Sequence, residues 1–239
     1  MVGNCSFGYN YYWFPTFCFK GEFILATYGM VLNLNRCSGC YTCEIACKMV
    51  NGTRTGVDYT TVERVEWGQF PDAHRRYKIN ICMHCEEPAC VTACPTKASY
   101  VTDEGVVLID YDKCIGCGAC VDACPYGART LVKDQPFAFG DDPLPCEEQQ
   151  ADLGNIVEKC TFCYGRVQAG EAPMCTVHCP GQCRIFGDVD DPESDISKYI
   201  AEKGAVHVEG THIWYVAPEG YPEEELPKSP VEQYLANRA

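Results

Sequence analysis

The sequence predicts an α+β fold of short strands and single helical turns, organised as an internal repeat around cysteine-rich loops. Three observations lead there. Four cysteine motifs recur along the 239 residues: Cys37, Cys40, Cys43 and Cys47; Cys82, Cys85, Cys90 and Cys94; Cys114, Cys117, Cys120 and Cys124; Cys160, Cys163, Cys175 and Cys179. The endings ACVTACP, ACVDACP and MCTVHCP mark a repeat rather than a scatter of thiols. Short apolar runs, MVLNL at 30–34 and VVLID at 106–110, deliver the chain as strands into two of these loops.

The third motif, CIGCGACVDACP from Cys114 to Pro125, shows the chemistry most plainly. Three cysteines at every third residue let one tight loop aim three thiolates at a single cubane 4Fe-4S cluster. Gly116 and Gly118 permit the loop, because glycine accepts positive φ and lets backbone N–H groups approach the sulfides. Cys124 lies beyond a helical turn, and Pro125 stops that turn. In the bacterial ferredoxin run of this spacing the fourth cysteine binds the second cluster of a pair. Four motifs therefore fit two pairs of cubanes.

Bulk properties narrow the class. The formal net charge is −14; four oxidised cubanes at roughly −2 each would bring it to about −22. Nucleic acid is excluded as a partner on that balance. The longest apolar candidate, Phe23–Leu34, falls short of the roughly eighteen residues a membrane helix needs and is broken by Thr27, Gly29 and Asn33. No basic region followed by an apolar segment and a small-residue cleavage site opens the chain, so no secretory signal is expected. A disulfide framework is disfavoured because neighbouring thiols in CxxCxxC runs compete for partners. Zinc, bound by separated CxxC pairs in an interaction scaffold, is the alternative of another class.

Taken in order, residues 1–28 form an N-terminal extension. It is rich in aromatic residues (Tyr9, Tyr11, Tyr12, Trp13, Phe14, Phe17, Phe19, Phe23), with Cys5 and Cys18 outside any motif. Read as an arm it would pack on a partner; the preferred expectation is a true start near Leu25 or Met30. Lys78–Ile81 and Asn155–Val157 are strands leading into the second and fourth motifs, and Ser99–Thr102, Arg129–Val132 and Arg184–Phe186 are strands leaving the later ones. Alternating Thr and Val at 60–65 add a strand or flap within the linker Gly52–Tyr77. Asp134–Gln150 is a polar insertion in which Cys146 is a plain thiol. Asp191 as cap, Pro192 at the first position and Gly204 as stop frame an amphipathic helix carrying Ile196, Tyr199 and Ile200. The acidic tail beyond Val216, with Pro218, Pro222, Pro227 and Pro230, has no core of its own and is either disordered or laid on a partner.

His84 and His178 adjoin motif cysteines, but coordination is complete without them, so hydrogen bonding or exposure is expected. Lys159, Tyr164 and Arg166 surround the fourth motif, where cations would raise a cluster's reduction potential. No catalytic residue is assigned: there is no GxGxxG after a strand and no phosphate loop.

The succession CSGCYTCEIACK, CMHCEEPACVTACP, CIGCGACVDACPYGAR and EKCTFCYGRVQAGEAPMCTVHCPGQCRIFGD resembles the four-cluster iron-sulfur subunit of the dimethyl sulfoxide reductase family of molybdenum or tungsten enzymes, over residues 29 to 216. The resemblance implies two dicluster ferredoxin-like modules related by a pseudo-twofold axis, an outer one from 29–60 with 155–190 and an inner one from 78–135, followed by a helix, strand and tail over 191–239. It implies four 4Fe-4S clusters: Cys37, Cys40, Cys43 with Cys179; Cys82, Cys85, Cys90 with Cys124; Cys114, Cys117, Cys120 with Cys94; and Cys160, Cys163, Cys175 with Cys47. Some relatives carry tryptophan at the position of Cys117 and hold a three-iron cluster there. Cys183 stands where a small residue is usual and adds no ligand. The implied role is electron transfer between a molybdopterin catalytic subunit and a membrane anchor or soluble carrier, without a membrane span in this chain. A similar subunit of a hydrogenase or formate dehydrogenase complex is the nearer alternative. The expected location is cytoplasmic, or periplasmic by co-export with a signal-bearing catalytic subunit.

Overall fold

The computed structural model describes residues 26–140, 142–148 and 153–237. The aromatic extension up to residue 25, with Cys5 and Cys18, lies outside the described residues. Among the described residues stand ten short strands: β1 (Tyr28–Asn33), β2 (Thr60–Trp67), β3 (His74–Ile81), β4 (Ser99–Val101), β5 (Val107–Ile109), β6 (Thr130–Val132), β7 (Ile156–Glu158), β8 (Arg184–Asp188), β9 (Val206–His207) and β10 (Ile213–Val216). The helices are α1 (Thr42–Asn51), α2 (Ala89–Thr92), α3 (Ala119–Asp122), α4 (Tyr164–Gln168), α5 (Met174–Val177), α6 (Asp195–Lys203) and α7 (Pro230–Ala236). The result is a mixed α and β chain whose strands and helical turns punctuate the cysteine loops.

Strand pairing follows the motifs around the chain. Antiparallel β2–β3 joins the first motif to the second, β4–β5 the second to the third, and β6–β7 the third to the fourth. The cycle closes when β8, leaving the fourth motif, pairs antiparallel with β1, which enters the first. β10 flanks β1 on its other side in parallel and carries β9, giving the order β8-β1-β10-β9. Met30, Val31 and Leu32 of this central strand are fully buried. The apolar run is therefore buried on both faces, as its lack of alternation requires.

Aliphatic and cysteine side chains share one core: Leu32, Leu34, Ile79, Ile81, Val106 and Ile213 pack in the same cluster as Cys43, Cys47, Cys82, Cys160 and Cys175. A smaller cluster joins Cys90 and Cys120 to Val107 and Val157. The thiols are thus walls of the interior, and their protection from water comes from neighbouring strands.

Two expectations change at the C-terminal end. The helix after the fourth motif is capped by Ser194, not Asp191: Ser194 Oγ accepts from Ser197 N at 3.2 Å. Asp191 and Pro192 instead make the preceding turn, with Glu193 N donating to Asp191 Oδ1 at 2.8 Å. Gly204 stops the helix as expected, at φ 58°. The described part of the tail lies on its own chain, where Tyr126 Oη donates to Lys228 O at 2.8 Å and Asn237 Nδ2 to Pro125 O at 2.7 Å. Buried Tyr221 stacks edge-on against Trp67, giving this acidic segment an anchor.

Candidate metal centres

Each cysteine loop is bent by residues in the left-handed region. Gly39 has φ +67°, Gly116 φ +63° and Gly118 φ +79° in the first and third motifs, while Phe162 and Cys163 adopt φ 53° and 52° in the fourth. Short helices turn cysteines inward: Cys43 and Cys47 on α1, Cys90 on α2, Cys120 on α3 and Cys175 on α5 are all buried, while α4, directly after Cys163, carries none.

Three cysteine-lined voids stand among the described residues. One is lined by Cys160, Cys163 and Cys175 of the fourth motif and by Cys47 of the first. A second is lined by Cys37, Cys40 and Cys43 of the first and by Cys179 of the fourth. The third takes Cys114, Cys117 and Cys120 from the third motif and Cys94 from the second. The remaining four sequence candidates also stand together. Burial pushes the Cys85 thiol up, and the charges of Cys82, Cys90 and Cys124 push it further. Cys47 behaves alike, raised by burial and then by Cys160, Cys175 and Cys163.

Ionised together to bind a metal group, these sulfurs would repel one another away from water and need cations to offset their charge. The donor set consists of sulfur alone, which suits iron-sulfur clusters. Positive groups stand at the same walls. Arg184 Nη2 donates to Cys43 Sγ at 3.3 Å, and its Nε and Nη1 are buried without a protein partner. Nε and Nη2 of buried Arg129 are equally unpartnered. These orphaned donors and the thiol-lined voids fit an anionic 4Fe-4S group.

Other residues singled out from the sequence fall into place around these walls. His84 is fully buried, stacked on Phe162 with ring centroids 3.7 Å apart, and its Nδ1 accepts from Val107 N at 3.1 Å. His178 is exposed. Lys159 is buried and donates to the carbonyls of Val107 and Cys160, tying the third strand-loop unit to the fourth. Arg166 faces Glu171 at 2.8 Å, and Tyr164 donates to Glu104 at 3.1 Å. Cys146, half-buried, lies outside the four sets. Cys183 shares the void of Cys37 and Cys179, with its sulfur 3.2 Å from that of Cys179. Sequence reasoning passed over Arg129 and Arg184 except as strand residues. Their shared place five residues after Cys124 and Cys179 was the available signal.

Cysteine-walled voids on a frame of short strands and turns define a ferredoxin-type iron-sulfur protein. The 4Fe-4S binding domain families match residues 107–130, and 34–51 with 79–97; the 4Fe-4S dicluster domain matches 140–189. The chain is 40% identical over 191 residues to a protein named as an iron-sulfur subunit of dimethyl sulfoxide reductase from Halobacterium salinarum, covering 74% of this chain and 72% of that one. It is 39% identical over 197 residues to a subunit of the sulfite dehydrogenase of Allochromatium vinosum, with 73% and 74% covered. It is 38% identical over 188 residues to a subunit of the selenate reductase of Mesobacillus selenatarsenatis, covering 72% of this chain and 64% of the relative's length. The chain belongs to the iron-sulfur subunits of the molybdopterin oxidoreductases. It is an electron-transfer subunit carrying 4Fe-4S clusters, and neither the hydrogenase-type nor the zinc reading is favoured. No helix among the described residues is long and apolar enough to cross a membrane.

Proposed function

We propose that this subunit relays single electrons through four 4Fe-4S clusters between a molybdopterin catalytic subunit and a membrane anchor or soluble carrier. When bound, such a cluster takes up and gives back one electron at a potential set by its surroundings. The ligand sets proposed are Cys37, Cys40, Cys43 and Cys179; Cys82, Cys85, Cys90 and Cys124; Cys114, Cys117, Cys120 and Cys94; and Cys160, Cys163, Cys175 and Cys47. One observation carries this reading: each of the three voids draws three thiols from one motif and its fourth from another. That exchange is the ligand pattern of two-cluster ferredoxins.

The chain's own residues hold and shield these groups. The glycine bends turn backbone inward, the helical turns aim the crossing cysteines, and Leu32, Ile79, Val106 and Ile156 keep water from the walls. The exchange divides the chain into an outer module, 29–60 with 155–190, and an inner module, 78–135, which we place about a pseudo-twofold axis. The pairings β8–β1 and β4–β5 support that division, and β6–β7, with Lys159 donating to Val107 O, forms the seam between modules. The described C-terminal residues 191–237 meet both, through β10 on β1 and Asn237 on Pro125. The compartment follows the catalytic partner: the cytoplasm, or the periplasm after joint export.

Anaerobic purification of the complex from its own organism tests the reading. We expect about sixteen iron and sixteen acid-labile sulfide per copy of this chain and a co-purifying molybdopterin subunit, with no substrate turnover by this chain alone. Saturation near eight iron under reconstitution would sink the four-cluster assignment.

A further inference from the structure

The two later motifs share a feature that metal ligation does not use. Five residues past the cysteine that precedes proline, each places an arginine: Arg129 after Cys124-Pro125 and Arg184 after Cys179-Pro180. Both side chains are 3% exposed. A guanidinium buried this deeply is costly unless it meets negative charge. Among the described residues no carboxylate forms an ion pair with either.

What Arg184 meets instead is sulfur from two different sites. Arg184 lines the void of Cys47, Cys160, Cys163 and Cys175. Its Nη2 donates at 3.3 Å to Cys43, which walls the neighbouring void. Thr60 Oγ1, at 2.8 Å from the same nitrogen, seats the group. Arg129 is seated in the same manner, by Nη1 donating to Ser99 Oγ at 2.8 Å. Ser99 lines the void of Cys94, Cys114, Cys117 and Cys120. Cys120 stands within hydrogen-bonding reach of Arg129, and Cys90 and Cys82 of the other inner site are close enough to act on its charge. Each guanidinium leaves two nitrogens without a protein partner, Nε and Nη1 in Arg184 and Nε and Nη2 in Arg129.

We propose that Arg184 and Arg129 are the electrostatic bridges of the two cluster pairs, each holding one buried positive charge between two clusters and raising the reduction potential of both. The proposal rests on the ligand sets above. Reduction adds negative charge, so a fixed cation stabilises the reduced form, and more strongly in a poorly screened interior than in water. An electron on one cluster of a pair also opposes a second electron on its neighbour. A cation between them offsets that repulsion from either side. Two halves of the chain thus carry the same device at the same motif position.

Redox titration followed by electron paramagnetic resonance, on the intact complex, tests this. Arg184→Gln is expected to lower two of the four midpoint potentials. The expected drop is at least tenfold in the reduced-to-oxidised ratio at fixed poise, about 59 mV for a one-electron couple. Arg129→Gln is expected to lower the other two. Arg184→Lys and Arg129→Lys, which keep the charge, should restore most of each shift. Unchanged midpoints overturn the proposal, as do shifts in the same two clusters for both variants, or lysine variants that shift as far as glutamine. Iron and sulfide counts on the same samples judge the ligand sets separately: counts that stay near sixteen beside unmoved potentials reject the bridges alone. Should a glutamine variant fail to load iron, Thr60→Val and Ser99→Ala keep the arginine and remove only its seat. They are expected to lower the same pair by a smaller amount, and no movement there rejects the proposal.

Discussion

Gly116 illustrates how closely single residues constrain the centres. Its φ is +63°, and a Cβ built there would stand 2.4 Å from the carbonyl oxygen of Asn155 at the mouth of the fourth motif. Alanine would meet both a disfavoured backbone and a fixed main-chain atom, at a cost above about 1 kcal/mol. Gly116→Ala is expected to lose one cluster, with iron falling from about sixteen to about twelve per chain; full loading would refute that. The cysteines themselves differ in tolerance. Cys117 is exposed, whereas Cys124 is half-buried, feels the charge of Cys82 and is proposed to complete the set of that loop. Cys117→Trp should keep three clusters and show a new three-iron signal in the oxidised protein. Cys124→Ser should damage stability as well, because metal binding and folding are coupled in such sites. Loss of every cluster in the tryptophan variant, or four intact in the serine variant, would refute the crossed ligation.

At the scale of elements, α6 separates capping from packing. Ser194 supplies the cap, and Ile196, fully buried, fixes the helix to the sheet against Gly187 of β8. Ser194→Ala is expected to cost about 1 kcal/mol and Ile196→Ala about 2–5 kcal/mol, both with iron content unchanged. Anaerobic thermal melts of the loaded protein measure the order, and equal melting points would contradict it. Asp191-Pro192 resembles a cap in sequence because that pair satisfies its own turn three residues before Ser194, and both arrangements fit the same composition. The long β3 was legible only from Lys78 onward. Its first half, His74–Tyr77, is largely exposed and rich in basic residues, and its strand form comes from pairing with Arg64–Trp67.

For the whole molecule, motif cysteines and aliphatic side chains are packed into the same two clusters, so metal binding and folding are expected to be coupled. Stripping iron with a chelator under reducing conditions should therefore abolish the near-ultraviolet circular dichroism and broaden or remove the cooperative melt. An apo chain that melts at the temperature of the loaded one would show that the strands alone carry the fold. The tail belongs to this scale too. Proline spacing and acidity gave it no core, yet Tyr126, Pro125 and Trp67 offer surfaces that its Tyr221, Lys228 and Asn237 meet.

The cysteine motifs, the iron-sulfur chemistry they suit, the glycine bends and most of the strands leading into and out of them are legible from local residue order. These are local matters, set by spacing within a dozen residues and by the conformations glycine and proline allow. Which loops face which voids was beyond local pattern; the crossed ligand sets came to the sequence reading only through family resemblance. Tertiary structure brings Cys47 beside Cys160 and Cys94 beside Cys114, buries His84 on Phe162, and sets Arg129 and Arg184 among thiolates from two sites. The reason is physical: a buried cation looks in sequence like any surface arginine, and its meaning arises only when β1, β8 and the cysteine loops close around it and remove the water.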